Sequence, residues 1–310
     1  MDHKQLRAFL TIAETRNMTR AAEILNLVQP AVSRQLRLLE EDIGAQLFER
    51  ERQGMVLTEA GKALFGYARR AMLELDRARA ELSGSEDEVA GIVTLGILPS
   101  TCNLLPGPIL AAALQKYPKV RIRFAMGYAG TLQQWLEKGE IDAALLYGVE
   151  HEPHIQATPL VEEPLWIVGP ASAKLRKGNP VKLSSLATQA MILPNGPNGI
   201  RHLLDQACAV AKVSLQVIVE TNAMDIQKSL VLGGHGYTIL PPISFKQELA
   251  DGRLKGAPLD APKISRTLLL ALLANRTISR PVRCVVDLMV DCIHAAVTNK
   301  QWPEAIWVAK

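Results

Sequence analysis

Residues 19–40, TRAAEILNLVQPAVSRQLRLLE, constrain the fold more than any other stretch of the chain. Thr19 is a good N-cap for a short helix, with Glu23 placed favourably near its positive end. Ala22, Leu25 and Leu27 are expected to face a core, and Asn26 tolerates the left-handed backbone of a tight turn. Pro30 falls in the first turn of the next helix, where its missing N–H costs nothing. Val32, Leu36 and Leu39 then recur at helical spacing as a buried stripe, with Ala31, Ser33, Arg34 and Arg37 off it. Two short helices joined this way, the second with a small, polar, arginine-bearing face, have the sequence form of a helix-turn-helix.

The chemistry of that face is specific. Small side chains let a helix backbone sit deep in a DNA major groove. Gln29 can pair with adenine, Ser33 with base or phosphate, and Arg34 with guanine or phosphate. The competing reading is a plain three-helix bundle with a solvated polar face. Upstream, Leu6, Phe9, Leu10 and Ala13 predict a first amphipathic helix. Downstream, LFERERQGMVL (47–57) reads as a hairpin turning at Gln53-Gly54, with Arg50 and Arg52 beside the turn. Candidate DNA contacts are therefore Thr19, Arg20, Gln29, Pro30, Ala31, Ser33, Arg34 and Arg37, with Arg50, Arg52 and Gln53 from the hairpin. Net charge would not have found this site. The chain carries +4 overall, but residues 1–60 hold nine acidic against eight basic side chains. A phosphate-binding face must come from clustering of the arginines in space.

Thr58 caps a long helix running to about Glu81, with Glu59 at its positive end. Gly61, Leu64, Ala68, Ala71, Leu75, Ala78 and Leu82 step by three and four, which is coiled-coil spacing. Pairing through Leu64, Ala68, Ala71, Leu75, Ala78 and Leu82 would set two recognition helices on one face of a duplex. The alternative is a helix docked on its own domain. SGSEDE (83–88) is a polar linker.

The remaining two thirds alternate strand and helix. Expected strands are 93–97, 120–126, 141–146, 165–168, 190–193, 213–220, 237–240 and 268–273; expected helices are 104–116, 130–137, 198–211, 223–232 and 281–297. The repetition points to βαβ units around a parallel sheet. Ligands of such sheets bind beyond the C-terminal strand ends, where helix N-termini present free N–H groups. The residues at those ends are Ser100, Thr101 and Cys102, Gly130 and Thr131, Tyr147, Asn195, Asn198 and Arg201, and Asn222. Hydroxyls, helix starts and one arginine suit a small carboxylate or other anionic metabolite. Each Ser, Thr or Asn taken singly is as readily a helix cap.

Residues 1–90 resemble LysR-type transcriptional regulators through AAEIL (21–25), QPAVSRQLRLLE (29–40), IGAQLFER (43–50) and LTEAG (57–61). The resemblance implies a winged helix-turn-helix over 1–58, a linker and dimerisation helix over 59–89, and an α/β effector-binding domain over 90–310. That last domain would be two-lobed and periplasmic-binding-protein-like, with lobe I at 90–161 and 266–300, lobe II at 162–265, and the effector between them. It further implies a dimer of dimers, a partly palindromic T-rich/A-rich site, and RNA polymerase as a further partner. QAMILPNGPNGIRHLLD (189–205) and KQWPEAIW (300–307) resemble the nitrogen-assimilation-control branch. Two positions depart from the family pattern. Val28 stands where serine usually caps the recognition helix, which should weaken that helix start by roughly 1 kcal/mol. Gln53 stands where the wing tip often carries arginine.

Other classes are poorly supported. Cys102, Cys208, Cys284 and Cys292 form no CxxC pair and have no histidine at metal-ligand spacing. Cys284 and Cys292 would sit about 12 Å apart along a helix, too far for a disulfide. His151-Glu152-Pro153-His154 lacks the helix a metal site would need, and GGHG (233–236) lacks a dinucleotide loop's setting. No GxSxG, SxxK or P-loop is present. We therefore expect no catalysis and no cofactor. The first residues show no secretory pattern, and the longest apolar run, Leu268–Ala274, is far below the roughly 20 residues of a membrane span. A cytoplasmic protein is expected. The alternative function is an α/β solute-binding or small-molecule-transforming protein with an appended oligomerisation module.

Overall fold

A computed structural model describes residues 1–52, 54–83, 89–148, 153–196, 198–274 and 278–309. The chain divides into two units, Met1–Glu86 and Asp87–Lys310.

In the first unit, Asp2 accepts from the Gln5 amide while the Gln5 side chain accepts from the Asp2 amide, a reciprocal capping box that starts α1 (His3–Thr15). Arg16 ends it in the left-handed region at φ 53°. Asn17, not Thr19, caps α2 (Met18–Leu25), accepting from the Arg20 amide at 3.0 Å. Thr19 is the second helical residue, and the helix starts a turn's edge earlier than the sequence indicates. Asn26 takes the left-handed turn as expected, at φ 54°. Next comes α3 (Gln29–Ile43), longer than the expected span to Leu39, ending at Gly44 with φ 76°.

The hairpin strands β1 (Phe48–Glu51) and β2 (Gly54–Leu57) pair antiparallel, Glu51 opposite Gly54. Gly54 is thus the first residue of β2 and not a turn residue as read from sequence. Gly54 has φ 114°, and a Cβ there would collide with the Arg16 carbonyl. The Met55 amide donates to that same carbonyl at 2.9 Å, tying the wing to the end of α1.

α4 (Glu59–Ser83) is capped by Thr58, whose Oγ1 accepts from the Gly61 amide at 3.0 Å. Phe9, Ile12, Ala21, Val32, Leu39 and Leu47 are the fully buried centre of this unit. Leu27 corrects the expected core list: it is 49% exposed.

The second unit runs β3 (Ala90–Ile97), α5 (Pro106–Lys116), β4 (Lys119–Met126), α6 (Ala129–Glu137), β5 (Ala143–Tyr147), β6 (Ile155–Pro164), β7 (Trp166–Pro170), β8 (Val181–Lys182), β9 (Ala190–Pro194), α7 (Gly199–Ala211), β10 (Gln216–Thr221), α8 (Met224–Leu232), β11 (Thr238–Leu240), α9 (Lys246–Ala250), β12 (Leu254–Asp260), β13 (Ser265–Leu273), α10 (Arg280–Thr298) and β14 (Ile306–Trp307). One sheet has the order β14-β6-β13-β5-β3-β4. A second has β11-β7-β12-β8, and β9 pairs with β10 and bridges to Tyr237 beside β11.

The sheets are mixed rather than parallel. β3 runs parallel to β4 and β5, whereas β13 runs antiparallel to β5 and β6. Sequence periodicity missed β6 and β12 because each carries proline inside the strand. In β6, Pro159 falls at a register shift against Leu268/Leu269, where the ladder is already interrupted. The chain passes between the two sheets twice, at Pro164-Leu165 and Ile264-Ser265, and the Leu165 amide donates to the Ile264 carbonyl at 2.8 Å. Each sheet has its own core, one around Leu95, Leu145, Val161 and Val285, the other around Ile167, Leu193 and Ile239.

Candidate nucleic-acid interface and ligand cleft

Val32, Leu36 and Leu39 are 0%, 5% and 0% exposed, so α3 is held to its unit by the stripe read from sequence. That anchoring turns Gln29, Pro30, Arg34 and Arg37 outward, with Ala31 and Ser33 half-buried. Val28 precedes the helix with no side-chain cap bond, as its chemistry requires. Across from α3 stands the hairpin, with Arg50 and Arg52 exposed. Between them lies an open hollow of about 550 Å³, lined by Ser33 and Arg37 from α3 and by Glu49 and Arg50 from β1. Recognition helix and wing therefore present one continuous surface. Arg37 is within 3.6 Å of Glu41, and Arg20 is 2.8 Å from Glu23, both in exposed pairs that water and salt weaken. Thr19 is exposed beside Arg20. Gln53 lies outside the described residues.

The expected pairing seam on α4 splits into two. Ala68 is 2% exposed and packed in the core of its own unit, with Leu64 half-buried against it. Ala68 is therefore spent inside its own unit, and the N-terminal half of α4 docks on its own domain. Ala71, Leu75 and Ala78 are exposed, Leu75 by 44%. The Leu82 side chain lies outside the described residues.

In the second unit the strand-end residues separate into structural and open ones. Thr101 is fully buried, its hydroxyl donating to the Leu98 carbonyl at 2.9 Å, so it closes a turn. Arg201 is also committed. Its Nε donates to Asp205 at 2.9 Å and its Nη1 to both Glu220 and the Pro194 carbonyl. Those two carboxylates remove the free cation that an anionic effector was expected to find there, and they raise the guanidinium pKa. Asn198 is the α7 N-cap, accepting from the Ile200 and Arg201 amides. Gly130 and Thr131 are exposed in the first turn of α6, which has no side-chain cap; Asn195 and Asn222 are exposed.

Tyr147 belongs to a buried polar cluster that sequence reading missed. Glu163 is fully buried. Its Oε1 accepts from the Tyr147 hydroxyl at 2.6 Å and from Arg266 Nε and Nη2 at 2.8 and 2.7 Å; its Oε2 accepts from Trp302 Nε1 at 2.8 Å. The Arg266 guanidinium lies 3.7 Å over the Tyr147 ring and reaches the Ser100 hydroxyl at 3.2 Å. Burial holds the Tyr147 phenol pKa well above its usual value, against the opposing pull of Arg266. Glu163 and Arg266 face each other across β6 and β13, just before the first crossing between the sheets and just after the second. Their neighbours Glu162, Lys263 and Asp260 are charged as well, so sequence alone does not single the pair out.

The lobes meet at a second place that the sequence did not mark. The Tyr128 hydroxyl, from the start of α6, accepts from the Met224 amide at the start of α8 at 2.8 Å. Burial, then Asp225, raises the Tyr128 pKa, while the Met224 amide lowers it. Cys102 lies nearby, its sulfur 3.2 Å from that of Met126, and burial and Asp225 push its thiol pKa up. Tyr128 and Cys102 thus both lie close to the first turn of α8, Tyr128 through the Met224 amide and both through the Asp225 charge. All four cysteines are free and partly buried, and among the described residues no group of His, Cys, Asp or Glu could hold a metal.

Residues 3–62 match the family model of bacterial regulatory helix-turn-helix proteins of the lysR family, and residues 86–292 match that of the LysR substrate binding domain. The chain is 30% identical over 303 residues to the HTH-type transcriptional regulator BbuR of Bordetella bronchiseptica, covering 98% of this chain and 93% of that one. It is 28% identical over 308 residues to the nitrogen assimilation regulatory protein nac of Escherichia coli, covering 97% and 99%. Its fold is that of CbnR bound to its target DNA (TM-score 0.70, 21% identity, 96% and 100% covered). A full-length OxyR variant from Pseudomonas aeruginosa is equally close (TM-score 0.70, 21% identity, 95% of each chain).

Proposed function

The chain belongs to the LysR family of DNA-binding transcriptional regulators, which are not enzymes, and from that premise we propose that a small molecule in its interlobe cleft controls how it engages DNA. Residues 1–58 bind DNA, 59–89 link and pair protomers, and 90–310 receive the effector, in a cytoplasmic dimer of dimers that acts on transcription by RNA polymerase. On the DNA side, Gln29, Ser33 and Arg34 read base edges, Pro30 and Ala31 allow close approach, and Thr19, Arg20, Arg37, Arg50, Arg52 and Gln53 hold the backbone. Pairing through the exposed part of α4 (Ala71, Leu75 and Ala78) brings two such surfaces to two half-sites.

The observation that carries this reading is α3 itself: its aliphatic stripe is buried while Gln29 and Arg34 stand in water beside the wing. The test is binding to duplex DNA from the region upstream of the chain's own gene. Arg34→Ala should weaken specific binding by about fivefold to 150-fold, since a good base contact contributes about 1–3 kcal/mol. Wild-type affinity should also fall steeply as salt rises. Equal affinity of the variant, or a flat salt response, removes the assignment.

The effector site is drawn around Ser100, Cys102, Gly130, Thr131 and Tyr128, with Asn195 and Asn222 at its edge. An anionic group would bind the uncapped start of α6, whose first-turn amides point outward; Arg201 is no longer part of this reading. A ligand acts only through its different affinity for two arrangements of the lobes, and the Tyr128–Met224 bond is a contact those arrangements would make or break. Tyr128→Phe should change the effector response and leave basal DNA binding intact. A normal response would place the site elsewhere.

A further inference from the structure

The first turn of α3 is almost stripped of hydrogen-bonding groups. Val28 offers no side-chain acceptor, and Pro30 has no N–H. The amides of Ala31 and Val32 both turn back to the Val28 carbonyl, at 2.9 and 3.4 Å. This helix start is therefore poorly equipped to hold a phosphate. What it presents instead is hydrocarbon: Val28 is 70% exposed, Leu27 49%, and Pro30 is exposed beside them. Among residues 27–30 only Gln29 carries a polar side chain.

A valine here forgoes the cap bond and leaves its methyls in water, so nothing in the folded unit accounts for it. The exposed patch is a few side chains wide, far below the roughly 800 Å² per partner of a stable protein interface. It lies at the end of the helix that enters the major groove. The apolar group on base edges in that groove is the 5-methyl of thymine. We infer that Val28 is a specificity-determining residue whose γ-methyls pack on a thymine 5-methyl, next to the base pair that Gln29 reads. The inference rests on the DNA-binding surface proposed above. Gln29 selects adenine by two hydrogen bonds, Val28 selects thymine by its methyl, and the first turn of α3 reads a short run of A·T pairs without contacting phosphate.

The experiment uses the full-length protein and duplexes it enriches from a random pool. Each thymine of the enriched site is replaced in turn by deoxyuridine, which deletes the 5-methyl and leaves every base-pairing group in place. For the wild type, binding should weaken about threefold to tenfold at one thymine in each half-site, the scale of one buried methyl. Val28→Ala and Val28→Ser should both lose that sensitivity at that thymine while keeping it at any other. The serine variant adds a hydroxyl and the alanine variant does not, so a shared loss belongs to the missing methyls. Val28 is exposed, so both variants should keep the wild-type circular dichroism, the alanine variant melting within a few degrees of wild type and the serine variant no lower. A wild type indifferent to uracil at every position, or variants with its unchanged uracil profile, overturns the inference while DNA binding stands. Failure to enrich any duplex overturns the DNA-binding surface and this inference together.

Discussion

Glu163 is a fully buried carboxylate that accepts from four donors, among them two nitrogens of Arg266. Such a pair is costly to desolvate, so its value shows when one half is removed and the other charge is stranded. Glu163→Gln or Arg266→Met should each destabilise the second unit by about 3–5 kcal/mol, read from chemical denaturation. The double variant Glu163→Leu/Arg266→Met should cost less than either single change, and additive losses would count against the coupling. Tyr147 beside them carries a pH signature. Its folded-state pKa is raised, so its neutral form is favoured in the native protein. Its contribution to stability is complete below the unfolded value near 10 and is lost as pH climbs above it. Stability between pH 9 and 11 should fall less steeply in Tyr147→Phe than in wild type; parallel curves would refute this. Tyr147 was named from sequence, but its partners Glu163 and Arg266 were not legible there. A glutamate in one strand and an arginine about a hundred residues later become partners only when β6 and β13 align.

At the scale of elements, α4 has two halves with different work. Ala68→Glu places a charge in the core of the first unit and should unfold it, whereas Leu75→Glu should leave that unit folded. If pairing runs through the exposed half, Leu75→Glu should also lower the oligomeric state in sedimentation equilibrium. An unchanged mass would move the pairing surface elsewhere. Periodicity could not separate the halves, because a three-and-four step describes an apolar stripe whether its partner is the same chain or another. The recognition helix was more legible. Its stripe, its left-handed lead-in and its missing cap all follow from residue type, whereas its length, the burial of Leu27 and the neighbouring cap at Asn17 were misjudged.

At the scale of the whole molecule, the C-terminal segment straps the two-sheet unit together. β14 adds to the edge of β6, Trp302 is 1% exposed with its indole N–H on Glu163, and Lys246 and Lys177 reach back from the other sheet to the Gln301 carbonyl and Glu304. Trp302→Phe keeps most of the packing but leaves Glu163 Oε2 without a donor. It should cost about 1–3 kcal/mol, visible as a lowered melting temperature of the full chain.

Local chemistry determined the helix-turn-helix, the wing, the long helix and the alternation of strands and helices, because caps, turns and apolar periods act over a few residues. It also determined the family, since the motifs that carry it are contiguous. Which strands pair, whether a sheet is mixed, which arginine is free and which is neutralised, and where the lobes touch were decided only in three dimensions. Those outcomes depend on partners distant in sequence. For Arg201, Asp205 is only one helical turn away but Glu220 comes from β10, and for Arg266 the partners are Glu163 and Tyr147. A cation looks the same in sequence whether it awaits a ligand or already holds its counter-ion.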